Sequence, residues 1–284
     1  MSKVALVTDS TSYIPRDIRG KYPITVVPQV VIWEGQTYED DVTITPEQFY
    51  TRLRTAKVMP STSQVSVVNM YNAYNTLIEQ GYDVLGIFLS EKLSGTWQSA
   101  QLAREELKSG KEKVDFVDSR TTAMAMGFIV LEVAKAALDG ASLADCKALA
   151  EKGREYVGVY LTVETLEFLH RGGRIGGAQR FLGTALNLKP ILEVTGGRVE
   201  PVERVRTKGK ALDRIVELVA ERCAGKSPVR MATLHADSEA DARVTLEKIT
   251  ALVKPVDSVF AAVSPAVGAN TGPGTVGLAW MAGM

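Results

Sequence analysis

Residues 83–96 read Asp83-Val84-Leu85-Gly86-Ile87-Phe88-Leu89-Ser90-Glu91-Lys92-Leu93-Ser94-Gly95-Thr96. The run Asp83 to Leu89 is almost continuously apolar, as suits a strand buried on both faces. Its exit is rich in hydroxyls and leads into a helical stretch reaching about Lys108. The same grammar occurs upstream, where Lys3 to Thr8 (KVALVT) ends in Asp9-Ser10-Thr11-Ser12. It occurs again downstream, where Lys113 to Val117 exits through Asp118-Ser119. Helices lie between. Thr45-Pro46-Glu47-Gln48 opens one that reaches about Arg54, with Thr45 as N-cap, Pro46 at the first position and Gln48 closing a capping box. Val67, Met70, Tyr71, Tyr74, Leu77 and Ile78 form one helical stripe over Val67 to Gln80, and Gly81 can end it. Thr121 to Leu138 reads as a long, mostly buried helix, and Ser142-Leu143-Ala144-Asp145 starts the next. Ile24 to Trp33 carries further strand signals, punctuated by Gly35. Alternating strands and helices predict an α/β fold whose N-terminal part is a mostly parallel sheet flanked by helices. Ligands bind beyond the carboxyl ends of such strands.

Pro60-Ser61-Thr62-Ser63-Gln64 stands beside those exits. Pro60 has no backbone donor and biases Met59 towards extended geometry. The segment therefore reads as a turn that gathers hydroxyls and free N–H groups, enough to hold an anion without a cationic side chain. The alternative is that Ser61, Thr62 and Ser63 simply cap the following helix.

The second half reads differently. Tyr156 to Thr162 is strand-like and Glu164 to His170 a short helix stopped by Gly172 and Gly173. Lys189 to Val194 and Val199 to Val205 flank Thr195-Gly196-Gly197-Arg198, a hairpin signal. Helix at Lys208 to Ala224, strand at Val229 to Leu234, helix at Ser238 to Leu252 and strand at Val259 to Val263 follow. A hairpin among crossovers predicts a partly antiparallel sheet. The expected division is residues 1–160 and 161–284.

The 284 residues suffice for about two domains. A hydrophobic share of 45% with 23% charged residues is that of a soluble globular protein. With 33 basic and 33 acidic residues the formal net charge is zero, which argues against a general nucleic-acid binder. Cys146 and Cys223 lack metal-ligand spacing, and a reducing, cytoplasmic compartment fits. No secretory signal is visible. The charge-free run from Ser258 to Met284 is long enough to cross a bilayer, but Pro265, Gly268, Asn270, Gly272, Pro273 and Gly274 interrupt it. It reads as buried strand, loop and packed terminal segment, leaving room for transient membrane contact at most.

Little in the sequence breaks bonds. His170 and His235 are the only histidines, and both read as structural or capping residues. No metal site is expected. Gly172-Gly173-Arg174-Ile175-Gly176-Gly177 matches no nucleotide-binding pattern and reads as a helix stop and start. Arg174 stands unscreened there, able to pair with a carboxylate or phosphate. Gly272-Pro273-Gly274 either exposes N–H groups to an anion or is a tight turn.

Val7-Thr8-Asp9-Ser10-Thr11, Pro60-Ser61-Thr62-Ser63-Gln64, Leu93-Ser94-Gly95-Thr96, Gly172-Gly173-Arg174-Ile175, Leu188-Lys189-Pro190-Ile191 and Gly272-Pro273-Gly274 occur in an order that resembles the DegV family. The resemblance spans essentially the whole chain. It implies a second α/β domain with a largely antiparallel sheet, and one long-chain fatty acid such as palmitate in a tunnel between the domains. It also implies a non-catalytic role, with the acyl carboxylate presented to a separate ATP-using fatty acid kinase subunit. It assigns carboxylate binding to Thr62 and Ser94, with Asn270 standing where the family often carries a histidine. Asn270 can donate a hydrogen bond but carries no charge. Ser63 and Gly95 are further anion donors, and Arg174 and Arg206 resemble rim residues facing the partner. No cofactor is implied. The rival reading is an enzyme acting on a small phosphorylated or carboxylated metabolite at the strand-exit cleft; a third is a protein that holds lipid only for its own stability.

Overall fold

The computed structural model describes residues 3–182 and 188–284. The first half runs β1 (Lys3–Asp9), α1 (Arg16–Arg19), β2 (Ile24–Val27), β3 (Val30–Trp33), β4 (Gln36–Glu39), α2 (Pro46–Leu53), β5 (Ser61–Ser63), α3 (Val67–Glu79), β6 (Tyr82–Phe88), α4 (Thr96–Glu106), β7 (Val114–Asp118), α5 (Ala123–Leu138) and α6 (Leu143–Gly153). The second runs β8 (Val157–Thr162), α7 (Glu167–Arg171), β9 (Lys189–Thr195), β10 (Arg198–Val205), α8 (Lys208–Cys223), β11 (Val229–His235), α9 (Glu239–Val253), β12 (Asp257–Ala262), α10 (Pro265–Thr271) and β13 (Val276–Ala282). The division expected at residue 160 falls within β8.

The first-half sheet is parallel, in the order β2-β1-β6-β7. Side chains alternate across a strand, and both faces are covered. Val4, Leu6, Leu85 and Ile87 share a core with α5. Ala5, Val7, Val84 and Phe88 pack with Met70 and Tyr74 of α3 and Ala100 and Ala103 of α4. That is why these strands read as unbroken apolar runs. The capping box at Thr45 forms as expected, and a second forms at Ser142.

Pro60 to Gln64 is not a turn. Ser61–Ser63 form β5, antiparallel to β3 with Thr62 opposite Val31. With β4 they make a three-stranded sheet in the order β4-β3-β5. A three-residue strand of hydroxyl side chains has no apolar alternation to announce it. The following helix is capped by Ser66, whose Oγ accepts from the Asn69 N–H at 3.0 Å, so the alternative capping role for Ser61 to Ser63 also fails.

The second-half sheet has the order β10-β9-β8-β13-β11-β12 and is antiparallel except for β11 with β12. Gly196 and Gly197 sit at φ 56° and 82°, the type I′ geometry that closes two-residue hairpins. Tyr160, Leu278 and Trp280 face Ile215 and Val219 of α8. Val159, Ala232 and Ala279 face the other way, into the core that holds α5. Helix α5 is thus packed between the two large sheets, which accounts for its apolar residues on every side.

The charge-free C-terminal run differs from expectation in one element. Its first part is the expected strand, β12, but the middle part expected as loop is α10, with Pro265 at the first helical turn, and β13 is a central strand. Gly268 reads as a helix breaker, but its lack of a Cβ makes room for Tyr50 Oη. The Tyr50 hydroxyl donates to Val263 O at 3.0 Å. Among the described residues no helix is long and apolar enough to cross a membrane.

Candidate ligand-binding site

Beyond the carboxyl ends of β1 and β6, the first half meets the six-stranded sheet around a cavity. It encloses about 950 Å³ of atom-free space, open mouth included. Val159 and Leu161 of β8, Leu234 of β11 and Gly277 of β13 form its floor, while Leu89, Leu93, Val263 and Val267 supply apolar walls. Thr62, Ser63, Ser94, Arg174 and Asn270 add polar groups to the lining.

Three of these come from distant stretches. Thr62 is held by β5. Asn270 lies near the end of α10 and donates through Nδ2 to Thr62 Oγ1 at 3.2 Å and to Ala266 O at 3.0 Å. Ser94 stands just before α4, whose N-cap is Gly95 and carries no capping side chain. The positive end of that helix dipole therefore lies beside the cavity, where it favours an anion. Ser94 Oγ is 3.0 Å from Thr96 Oγ1 and accepts from the Thr96 N–H at 3.3 Å. Thr96 is fully buried and accepts from Gln29 Nε2 at 2.9 Å and from the Val65 N–H at 3.4 Å.

Ser63 lines the same cavity; Gly95 sits against the Gln64 side-chain amide. Arg174 lines the cavity and donates through Nε to Leu93 O at 3.0 Å and through Nη1 to Gly172 O, so it ties two backbone segments together at this edge. Arg206 is exposed beyond β10 and lies outside the lining. Gly272-Pro273-Gly274 is the tight turn, because the Gly272 N–H donates to Gly268 O at 2.8 Å and the Gly274 N–H to Ala236 O at 2.7 Å. The hairpin turn docks on the other half: Ser90 Oγ donates to Gly197 O at 2.8 Å and Lys92 Nζ to Gly196 O at 2.7 Å. His170 is exposed, and His235 packs on Phe260 at 5.1 Å between ring centroids. Among the described residues no three metal-ligating side chains gather.

Sequence reasoning missed a buried polar strip below the cavity. Asp9 accepts from the Thr11 hydroxyl at 2.6 Å and from the Leu89 N–H at 2.9 Å. Asp40 accepts from Ser10 Oγ at 2.6 Å and from the Ala266 N–H, across the two halves, at 3.1 Å. The acceptor-rich Asp9-Ser10-Thr11 was the available signal; nothing near Asp40 marked it. Burial pushes both carboxyls up, Asp40 to about 6, with their hydrogen bonds opposing the rise.

The stability consequence has a definite sign. The folded Asp40 holds its proton more tightly than the unfolded one, so stability rises as pH falls through about 6 towards the ordinary carboxylate range. Between pH 7 and pH 5 this amounts to about 1 kcal/mol from Asp40 alone. Burial lowers the His235 pKa, which opposes this rise over the same range, so the Asp40 part is read as the difference between the unaltered protein and Asp40→Asn in urea denaturation at pH 7 and pH 5. The carboxyls held low by partners, Asp145, Asp237 and Asp241, act only at more acidic pH.

An α/β chain with two large sheets and a cavity between the halves has close relatives. A DegV domain-containing protein of Clostridium perfringens is 34% identical over 279 residues, 98% of each chain. The solved structure of a fatty-acid-binding DegV family protein from Thermus thermophilus superposes with a TM-score of 0.92 at 36% identity, covering 99% of each chain. That of DegV from Bacillus subtilis, a fatty acid binding protein, gives 0.90 at 32% identity, covering 99% of this chain and 100% of the other. The family model described as "Uncharacterised protein, DegV family" matches residues 3–283, and with that match over both sheets and the cavity between them, the chain belongs to the DegV family.

Proposed function

We propose that this chain binds one long-chain fatty acid, such as palmitate, in the cavity between its two domains. Thr62, Ser94 and Asn270 surround the carboxylate, with Ser63 and the Gly95 N–H as secondary donors. The carboxylate is presented to a separate ATP-using kinase subunit that forms the acyl-phosphate, with Arg174 and Arg206 on the partner-facing rim. The observation that carries the reading is a cavity with an apolar floor and walls that also holds a cluster of neutral donors. The fatty acid binding of the Thermus thermophilus and Bacillus subtilis relatives supports it. A small, highly polar metabolite would leave most of this lining unused.

The energetics divide the labour. A sixteen-carbon chain buries about fifteen apolar carbons at roughly 0.8 kcal/mol each, on the order of 12 kcal/mol before ordering costs. Each neutral hydrogen bond adds about 1 kcal/mol. The tail sets affinity and the hydroxyls set position. Neutral donors also leave the carboxylate without a buried ion pair, so its oxygens stay nucleophilic.

Thr62→Ala and Ser94→Ala should each weaken binding only about fivefold while slowing acyl-phosphate formation by much more. Displacement of a fluorescent fatty acid, followed by turnover with ATP and the kinase subunit, separates the two effects. Normal binding and normal turnover in both variants would remove them from the head-group site. Gly172→Ala is a gentler probe. A Cβ there collides with Asn270 Oδ1, while Gly172 has an ordinary helical φ of −71°. The variant should fold normally and lose about as much affinity as Asn270→Ala, measured in the same assay.

A further inference from the structure

A second cleft opens behind the cavity, and one residue, Tyr13, lines both. The cleft holds about 1340 Å³ of atom-free space, open solvent included. Its lining is mixed: Ser10, Asp40, Asp41 and Arg16 beside Ile14 and Phe260. Helix α10 relates the two ends. Asn270, near its C-terminus, reaches Thr62. Ser264, its N-cap, places Oγ 3.5 Å from the Tyr13 hydroxyl. Six residue steps of helix separate Ser264 from Asn270 by about 9 Å along the axis, roughly the span of seven methylenes. Tyr13 therefore lies away from the donor cluster, and a longer acyl chain anchored at Thr62 meets it after bending over the floor.

From this we infer that Tyr13 is the end wall of the acyl cavity and limits the length of fatty acid accepted, a conclusion that rests on the lipid-binding reading above. The ring is wedged between an apolar space and a partly polar one. Its hydroxyl is desolvated, which raises its pKa, and it stands near Ser264 and the buried Asp40. A terminal methyl reaching the wall meets the ring; passing it would require both displacement of the ring and entry into a cleft bordered by Asp40, Asp41 and Arg16. Chain length is thus limited by a single side chain rather than by backbone.

Tyr13 has φ 54°, a left-handed conformation that glycine adopts without strain. Tyr13→Gly should remove the wall and keep the fold. Tyr13→Trp should move the wall inward, and Tyr13→Phe should leave it in place. The test is displacement of a fluorescent fatty acid by saturated acids from twelve to twenty-two carbons, with circular dichroism to confirm folding. In the unaltered protein affinity should climb about fourfold per methylene up to a limit and then fall. Tyr13→Gly should shift that limit upward by two or more carbons and improve binding of the first excluded acid about tenfold. Tyr13→Trp should shift it downward, and Tyr13→Phe should reproduce the original profile. Identical length profiles in folded Tyr13→Gly, Tyr13→Trp and unaltered protein would overturn the end-wall role while leaving lipid binding intact. If the unaltered protein displaces the probe with none of the acids, the lipid-binding reading falls and this inference falls with it.

Discussion

Leu161→Trp should reduce fatty-acid affinity by about 100-fold without unfolding the protein. Leu161 lies on β8 with its side chain on the cavity floor, opposite Gly277 of β13. It is only partly buried, so a larger side chain expands into the cavity rather than into packed core. An indole there takes the room of about four methylenes of a bound chain, and at roughly 0.8 kcal/mol each the loss is about 3 kcal/mol. The reverse face of the same strand shows the contrast. Tyr160 is fully packed against α8, and enlarging it would destabilise the fold instead. Titration of Leu161→Trp with a fluorescent fatty acid, beside its thermal unfolding, separates these outcomes. Full affinity in the variant would mean that the chain does not pass over β8.

The second large effect is on stability. Thr96→Val keeps the shape of a fully buried residue and removes its hydroxyl. Gln29 Nε2, the Val65 N–H and Ser94 Oγ then all lose a partner. Buried donors left unpaired cost about 1–3 kcal/mol each, and partial rearrangement should leave a net loss of about 2–3 kcal/mol. For a chain of this size that lowers Tm by roughly 3–5 °C. Ser94 Oγ loses the Thr96 hydroxyl but keeps the Thr96 N–H, so fatty-acid binding should weaken by no more than Ser94→Ala causes. Scanning calorimetry and displacement titration check the two parts. An unchanged Tm would show that Gln29 finds another partner and that Thr96 is not the hub of this network.

These two residues also mark what could be read from sequence. Strands such as Lys3–Asp9 and Tyr82–Phe88 are covered on both faces, so their apolar runs are unbroken and legible. Helix starts at Thr45 and the Gly196-Gly197 hairpin are local chemistry and were legible for that reason. Strand β5 was not, because three hydroxyl residues at a sheet edge carry no period. Helix α10 was masked by Gly268, whose reason is a tertiary contact with Tyr50. The site itself was legible only through resemblance to a family: Thr62, Ser94 and Asn270 lie far apart in the chain, and none is distinctive alone. Gln29, Asp40 and Tyr13 left no local mark, since their importance comes from what β1, β3 and α10 bring against them.

The account stands most directly on what occupies the cavity. The purified protein should be denatured, extracted with organic solvent and the extract identified by mass spectrometry. A near-stoichiometric long-chain fatty acid is the expected result, and its length would also report where the chain ends against Tyr13. No lipid in the extract, even after incubation with a mixture of fatty acids, would contradict the central claim.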